Sequence, residues 1–261
     1  MLLAIDVGNT NTVFALIEGD TILHRWRIST LTQRTSDEYM VWLSQLMEIA
    51  SGDGRDISRR DVDRVIIATV VPPTLFNLAR LSRTFFDVDP VIVTKDLDIG
   101  IGVDVPNPAE VGADRLVNSA AAYAKHGDNL IVLDFGTATT FDVVRNAAYS
   151  GGAIAPGINL AVDALYSASA QLPRVAVGPP ANSRAIATGT VDAMQSGIFF
   201  GYIALIEGLV ERITREAGRD MKVIATGGLA TIFEPHTDMI SQVDIDLTVR
   251  GLMLIEQRNP N

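Results

Sequence analysis

Apolar runs along the chain predict two similar sets of strands. Residues 2–14 read LLAIDVGNTNTVF and residues 130–142 read LIVLDFGTATTFD, so each begins as an apolar strand, ends it with Asp-x-Gly and continues into a second strand. A second pair, VIIATVVPP at 65–73 and VIATGGLA at 223–230, also joins an apolar strand to a turn of small residues. The repetition predicts one α/β plan used twice.

Helical periodicity follows the strands in both halves. We expect helices over about 36–51, 73–84, 111–127, 157–171, 190–217 and 247–257. Ser36 is the expected N-cap of the first helix, and Gly127 is the expected end of the third.

Together these elements predict an α/β fold. Each half contains a three-stranded antiparallel meander followed by alternating helices and strands, which predicts a mixed sheet flanked by helices. We place the two domains at residues 1–115 and 116–261 and expect them to face each other across a cleft.

Composition and charge narrow the class of protein. No apolar run approaches the roughly 20 residues that span a bilayer, and no basic leader precedes the first strand, so we expect a cytoplasmic protein without a membrane. The absence of cysteine excludes disulfides, thiolate metal sites and cysteine nucleophiles. A formal net charge of −10 argues against nucleic acid as a partner. An anionic ligand would need backbone amides, a helix N-terminus, a single cationic side chain or a metal ion.

The stretch DVGNTNT at residues 6–12 allows two interpretations. It suits a hairpin turn, because Gly and Asn tolerate positive φ. It also suits a phosphate site, because Gly8 lets the backbone approach an anion while Asn and Thr side chains supply uncharged donors. Asp-x-Gly recurs at Asp134, with Thr12 and Thr140 at the same offset from the two aspartates, so we favour the phosphate site. Two such turns with their carboxylates suit a nucleoside triphosphate and Mg²⁺.

Other common motifs are absent from the sequence. It contains no Walker A motif, no GxGxxG that opens a helix and no GxSxG elbow, so P-loop, Rossmann and serine hydrolase interpretations fail. The three histidines, His24, His126 and His236, lack the spacing of metal ligands. ATGG at 225–228 is either a strand-to-helix connection or, within the duplicated plan, a nucleoside contact, which we favour.

The sequence GADR at 112–115 opens the predicted helix 111–127. A solvent-exposed charge pair is one explanation, but only Asp114 is favoured by the helix dipole there. Arg115 is better explained if it faces an anion, and Asp114 then lies where it can accept a proton from a substrate hydroxyl.

The long helix 190–217 carries Gly197 and Gly201. Glycine inside a helix costs about 1 kcal/mol relative to alanine, which predicts close packing against this face. The partner is either another element of the same chain or a second copy in a symmetric dimer.

The order of these motifs resembles the type III pantothenate kinases, which belong to a superfamily with acetate and sugar kinases, heat-shock ATPases and actin. The resemblance rests on DVGNTNT, VGADR, DFGTATT, GGAIAPG, TVDAMQSG and ATGG, and it spans residues 1 to about 255. It implies duplicated ribonuclease H-like, actin-like ATPase domains. It also implies ATP-dependent phosphorylation of pantothenate to 4'-phosphopantothenate, the first step of coenzyme A biosynthesis.

The same resemblance implies a set of site residues. Asp114 corresponds to the proton acceptor, and Asp134 to the ligand of a monovalent cation, usually potassium. The residues that correspond to the ATP site are Asp6, Val7, Gly8, Asn9, Thr10, Asn11, Thr12, Val13 and Thr137. Those that correspond to the pantothenate site are Gly112, Ala113, Asp114, Arg115 and Thr190.

The resemblance further implies a homodimer in which helices equivalent to 190–217 pack together. One position departs from the pattern, because Val105 stands where many members have tyrosine. Two alternatives share the phosphate turns: another small-molecule kinase of the superfamily, and a non-enzymatic nucleotide-binding accessory regulator.

Overall fold

The computed structural model of the chain describes residues 1–52, 57–169, 171–181 and 183–260. Its contacts group into two compact units. The first comprises Met1–Gly102, Pro106–Ala121 and Leu247–Asn261, and the second comprises Val103–Val105 and Ala122–Asp246. The division thus differs from the predicted one at residue 115. The main reason is that the C-terminal helix packs on strands of the first unit.

The first unit is built on a five-stranded sheet. Its strands are β1 (Leu2–Val7), β2 (Asn11–Glu18), β3 (Thr21–Ser29), β4 (Arg64–Thr69) and β5 (Val91–Ile92), in the order β3-β2-β1-β4-β5. The first three strands form the predicted antiparallel meander, and β4 and β5 are added in parallel. The sheet is therefore mixed.

Helices of the first unit cover this sheet. They are α1 (Ser36–Ser51), α2 (Leu75–Leu81), the first part of α3 (Ala113–His126) and α7 (Leu247–Arg258). The predicted helix over 73–84 is shorter and mixed, because Pro72–Thr74 form a 3₁₀ turn and Ser82–Phe86 a π-helical turn. Tyr39 and Leu43 of α1 pack with Phe14 in the core of this unit.

Two helix ends refine the expectations. Thr35, rather than Ser36, caps α1: its side chain accepts from the Glu38 N–H, and the Glu38 carboxylate accepts from the Thr35 N–H. This reciprocal capping box explains why the helix begins where the sequence predicted. Gly127 has φ of 80° directly after α3, as expected for a glycine that ends a helix.

The second unit repeats the plan with a six-stranded sheet. Its strands are β6 (Gly102–Val103), β7 (Leu130–Phe135), β8 (Ala138–Arg145), β9 (Ala148–Pro156), β10 (Lys222–Gly227) and β11 (Gln242–Val243), in the order β11-β10-β7-β8-β9-β6. Strands β7, β8 and β9 form an antiparallel meander, and β10 and β11 are added in parallel. This sheet is also mixed.

The helices of the second unit include the longest one in the described part of the chain. They are the end of α3, α4 (Ile158–Ala168), α5 (Thr190–Ala217) and α6 (Ala230–Phe233). Among the described residues, only α5 is long and apolar enough to cross a membrane by length and composition. One face of α5 nevertheless lies in the core, where Phe199, Tyr202 and Ile206 pack with strand residues.

The first hairpin of each unit has the same strand pairing. Residues at the same offset from Asp6 and Asp134, however, are not structurally equivalent. Val7 pairs with Thr12 in the first hairpin, and Phe135 pairs with Thr139 in the second. The second turn is therefore one residue shorter, and Thr139, not Thr140, is the structural equivalent of Thr12. Counting from the aspartates failed because turn length, rather than sequence offset, sets the strand register.

Candidate active site

The DVGNTNT segment is a hairpin turn between β1 and β2, so the structural interpretation is correct whatever it binds. The Gly8 N–H donates to the Asn11 carbonyl oxygen over 3.0 Å and closes the turn. Asn9 and Thr10 at its tip are exposed, whereas Thr12 is buried. The tip thus presents amide and hydroxyl donors to solvent or to a ligand.

Thr30, just after β3, forms hydrogen bonds with this turn. Its hydroxyl donates to the Gly8 carbonyl oxygen over 2.7 Å and lies 2.9 Å from the Thr12 hydroxyl, while its N–H donates to the Thr10 carbonyl oxygen over 2.9 Å. A carbonyl only accepts, so the Thr30 proton is committed to Gly8 and the Thr12 hydroxyl is the donor to Thr30. Three bonds therefore fix the turn to the third strand.

The second turn, Gly136–Thr137, is closed in a similar way. The Gly136 N–H donates to the Ala138 carbonyl oxygen over 3.0 Å. Gly157 lies directly against the turn: a Cβ at this position would overlap the Thr137 carbonyl oxygen and stand 2.9 Å from that of Gly136. Only glycine lets β9 end so close to the turn. Gly136 and Thr137 are exposed at the tip.

Asp134, one residue before the end of β7, lies beside Gly227 of the ATGG segment at the end of β10. A Cβ at Gly227 would stand 2.6 Å from Asp134 Oδ1 and 2.6 Å from the Phe135 carbonyl oxygen, and Gly227 has φ of 90°. Gly227 is therefore required both by its backbone conformation and by the space that the Asp134 carboxylate occupies. The partly exposed Asp134 and the glycine turn form one surface of the second unit.

The GADR segment begins α3 as predicted. Asp114 lies in the first turn, partly buried, and its Oδ1 accepts the Arg115 N–H over 2.8 Å. Burial raises the pKa of Asp114 above its ordinary value of 3.8, and it outweighs the lowering effects of the Arg115 N–H and guanidinium. A Cβ at Gly112 would stand 2.6 Å from Asp114 Oδ1, so this glycine makes room for the carboxylate.

The start of α3 is anchored by α7. Gly251 of α7 packs against Val117, where a Cβ would stand 2.6 Å from Val117 Cγ1, and the Thr248 hydroxyl donates to Asn118 Oδ1 over 2.7 Å. Asn118 is 2% exposed, so its amide oxygen needs this donor. These contacts fix the helix that carries Asp114.

Val70 joins the first turn to the start of α3. Its N–H donates to the Val7 carbonyl oxygen over 3.1 Å, at the base of the DVGNTNT turn. Its Cγ1 lies 3.5 Å from where a Gly112 Cβ would be. Two predicted groups of site residues, the first turn and the GADR segment, thus meet within the first unit.

The other predicted residues lie in the second unit. Asp134 and Thr137 share the second hairpin, and Thr190 is the exposed first residue of α5, after Gly189. Among the described residues, no three His, Cys, Asp or Glu side chains cluster closely enough to hold a metal ion. Single carboxylates still fit a cation that takes most of its oxygen ligands from phosphates and water, as Mg²⁺ does.

Comparison with known proteins decides the family. The sequence profile of the type III pantothenate kinases matches residues 2–212. The chain belongs to the type III pantothenate kinase family. A family member from Rhodospirillum rubrum, named type III pantothenate kinase, is 54% identical over 261 residues, which cover 99% of each chain.

Solved structures share the fold at low sequence identity. A putative Baf family transcriptional activator from Campylobacter jejuni is similar with a TM-score of 0.62 and 20% identity, over 99% of both chains. A putative 2-dehydro-3-deoxygalactonokinase from Sinorhizobium meliloti has a TM-score of 0.56 and 16% identity, over 100% of this chain and 98% of that one. These likenesses confirm the predicted actin-like α/β fold with two mixed sheets flanked by helices.

Sequence reasoning missed residues that hold the turns rather than form them. Thr30 and Val70 contact the first turn from distant positions along the chain, and Gly157, noted in the sequence only as a glycine that permits close backbone approach, packs against the second turn. Thr30 and Gly157 each follow the third strand of a meander, so the alignment of the two halves was a signal that could have found them.

Proposed function

We propose that this chain phosphorylates pantothenate to 4'-phosphopantothenate with ATP, the first step of coenzyme A biosynthesis, in the cytoplasm. The observation that carries the proposal is the contact through Val70, which places the DVGNTNT turn next to the Asp114 helix start in one unit. A phosphate-binding turn and a carboxylate beside it are the two parts that phosphoryl transfer to an alcohol requires.

The ATP phosphates would be bound by the two Asp-x-Gly turns. Within residues 6–13, the exposed Asn9 and Thr10 would supply backbone N–H groups and uncharged side-chain donors, and the exposed Thr137 would supply the same from the second turn. Such donors bind phosphate oxygens through local dipoles. A chain of net charge −10 needs local donors of this kind to bind an anion. The other residues of 6–13 are included because they correspond to the ATP site of the type III pantothenate kinases.

Asp114 is the proposed proton acceptor. It would orient the primary hydroxyl of pantothenate in line with the γ-phosphorus and take its proton late, as a loose transition state allows. Its pKa is raised by burial, which brings the carboxyl closer to the neutral range where a base works best. Correct alignment supplies most of the remaining rate advantage.

Gly112, Ala113 and Arg115, next to Asp114 in the first unit, would bind pantothenate, and Thr190 of the second unit is the further residue that the resemblance implies. Arg115 carries the positive charge needed near an anion, either the pantothenate carboxylate or the phosphoryl group in transfer. Gly112 leaves the space next to Asp114 Oδ1 that a side chain would fill.

Two cations belong to this proposal. Asp6 of the first unit would be a ligand of the divalent ion, and Asp134 of the second unit would be a ligand of potassium; each lies one residue before the end of its strand. When bound, Mg²⁺ neutralises charge on the β and γ oxygens of ATP. The protein residues then only need to position the nucleotide and the hydroxyl.

A homodimer through α5 completes the proposal. A Cβ at Gly197 or Gly201 would meet no heavy atom of the described residues within 4 Å, and both glycines are exposed. Their intrachain surroundings therefore do not explain the helix-destabilising glycines, whereas close approach of a second α5 does.

A substrate panel tests the activity. The purified protein is incubated with Mg²⁺-ATP, potassium and either pantothenate, a hexose or acetate, while ADP release is followed. We expect turnover with pantothenate only. Turnover with another acceptor alone would favour a different small-molecule kinase, and nucleotide binding without turnover would favour an accessory regulator.

A further inference from the structure

The phenol of Tyr202 reaches from α5 to the second phosphate turn. Its oxygen forms hydrogen bonds with the Thr139 hydroxyl and with the Pro156 carbonyl oxygen, the latter at 3.2 Å. Thr139 is 1% exposed and Tyr202 6% exposed, so both hydroxyls depend on protein partners. One side chain therefore contacts both β8, which follows the turn, and the end of β9, which leads to Gly157 beside the turn.

The direction of these bonds follows from the number of protons. The Pro156 carbonyl oxygen only accepts, so the single phenolic proton of Tyr202 is donated to it. The Thr139 hydroxyl must then donate to the Tyr202 oxygen. Burial raises the pKa of Tyr202, which keeps the phenol neutral and able to donate at physiological pH.

The acceptor lies next to the turn itself. Pro156 precedes Gly157, the residue whose missing side chain lets β9 approach the Thr137 and Gly136 carbonyl oxygens. In the sheet register, Ala138 pairs with Pro156. A group that fixes Pro156 and Thr139 thus fixes the start of β8, directly after Thr137, and the end of β9 that pairs with it.

In the first unit, a different residue supplies the hydroxyl next to the corresponding turn. Thr12 is the structural equivalent of Thr139. Its hydroxyl bonds to that of Thr30, which directly follows the third strand of the same meander. In the second unit the position equivalent to Thr30 is Gly157, which has no hydroxyl. Tyr202, 63 residues from Thr139 along the chain, supplies that hydroxyl instead.

We infer that Tyr202 is a positioning residue for nucleotide binding: its hydroxyl, held by α5, orders the Gly136–Ala138 turn through Thr139 and Pro156. The inference about ATP rests on the proposed function, whereas the ordering of the turn does not. The aromatic ring of Tyr202 packs against Phe135 and Phe233, whose ring centroids lie 6.4 and 5.3 Å from its own. The hydroxyl is therefore the part of the side chain that acts on the turn.

Tyr202→Phe is the direct test, because it removes only the hydroxyl. Hydrogen exchange of the 134–140 peptide, measured without ligand, should become faster by on the order of fivefold or more, because the hydrogen bonds to Thr139 and to Pro156 are both lost. In the kinase assay, the KM for ATP should rise by a similar factor, while the KM for pantothenate stays within about twofold of the parent.

Matched variants separate positioning from simple loss of stability. Tyr39→Phe also removes a buried phenolic hydroxyl, but that hydroxyl has no hydrogen-bond partner among the described residues, so exchange and the KM for ATP should not change. Thr139→Val should change exchange and the KM for ATP in the same direction as Tyr202→Phe but by less, because the bond from Tyr202 to Pro156 remains, and Thr139→Ser should restore parental values. The double variant Tyr202→Phe/Thr139→Val should be no worse than Tyr202→Phe alone, because Tyr202→Phe already removes the bond to Thr139.

Two results would overturn the inference. One is parental exchange of the 134–140 peptide in Tyr202→Phe, and the other is equal changes in Tyr202→Phe and Tyr39→Phe. If the parent protein has no kinase activity, the proposed function fails, but exchange still decides whether Tyr202 orders the turn.

Discussion

The Thr30 hydroxyl donates a hydrogen bond to the Gly8 carbonyl oxygen over 2.7 Å, across 22 positions of the chain. The acceptor lies inside the DVGNTNT turn, and the donor lies just beyond the meander strand that flanks it. The geometry of the first phosphate turn is therefore set by a residue that has no place in the motif.

Thr30→Val should weaken ATP binding without abolishing turnover. The variant loses the bonds to Gly8 and Thr12 and leaves the buried Thr12 hydroxyl without its partner, at a cost of about 1–3 kcal/mol. We expect a rise in the KM for ATP and a lower Tm, measured by kinetics and calorimetry. Thr21→Val, at the exposed first position of β3, should leave both unchanged, and equal effects in the two variants would rule out the role of Thr30.

Asp114→Asn should lower turnover by about 100- to 10,000-fold, because the amide does not accept the substrate proton. ATP binding, measured by calorimetry, should remain close to that of the parent. Asp37→Asn alters a first-turn aspartate of α1 and should keep full turnover. Turnover of Asp114→Asn within a few-fold of the parent would remove Asp114 from the proposed role.

The same Asp114→Asn variant should be at least as stable as the parent at neutral pH. Burial raises the pKa of Asp114, so the ionised carboxylate disfavours folding. The stabilisation of the fold by the protonated Asp114 carboxyl is fully present below pH 3.8 and is lost as the pH rises through the raised pKa. The Tm advantage of the variant should therefore shrink as the pH falls towards about 4. A variant less stable than the parent at every pH would contradict this.

Gly227→Ala should destabilise the protein, whereas Gly228→Ala should not. At Gly227, φ of 90° strains any other residue, and a Cβ would press on Asp134 Oδ1, while a Cβ at Gly228 meets nothing within 4 Å. Strain of this kind costs about 1–3 kcal/mol, which thermal unfolding would detect. Similar Tm values for the two variants would show that the Asp134 side of the turn tolerates a side chain.

Potassium should raise the rate if Asp134 is a ligand of a monovalent cation. The measurement compares turnover in potassium with turnover in sodium or Tris at equal ionic strength. Asp134→Asn should remove most of the difference between the salts. Equal rates in all three salts for the parent would show that the ion is optional or that Asp134 has another role.

Gly201→Leu should convert a dimer into a folded monomer. The side chain has room within its own chain, and replacing a helical glycine stabilises the helix by about 0.5–1 kcal/mol, so only the contact with a second subunit is lost. Sedimentation equilibrium measures the change in mass. Gly178→Leu, at another glycine with open space, should keep the mass of the parent, and an unchanged mass in Gly201→Leu would contradict a dimer through this face.

Local patterns predicted most of the fold. The limits of α5 matched the expected 190–217, and both meanders were found from alternation and the Asp-x-Gly repeat. The helix near 73–84 was predicted less well, because Pro72 and Pro73 start it as a 3₁₀ turn and a π-helical turn ends it.

The candidate site could be predicted only in part. The motif residues were identifiable because glycines, carboxylates and hydroxyls follow apolar strands at short spacing. The residues that hold them were not, because the contacts of Tyr202 with Thr139 and of Val70 with Gly112 depend on tertiary packing. No periodicity connects positions so far apart in the chain.

The one-residue difference between the hairpins limits how the two halves can be exchanged. Replacing residues 134–140 by the equally long segment 6–12 would introduce the longer turn, so that Phe141 would pair with position 134 instead of Leu133. Phe141 would then point to the opposite face, and its apolar ring would leave the core. Protein engineers should therefore treat the halves as diverged copies whose segments are not interchangeable.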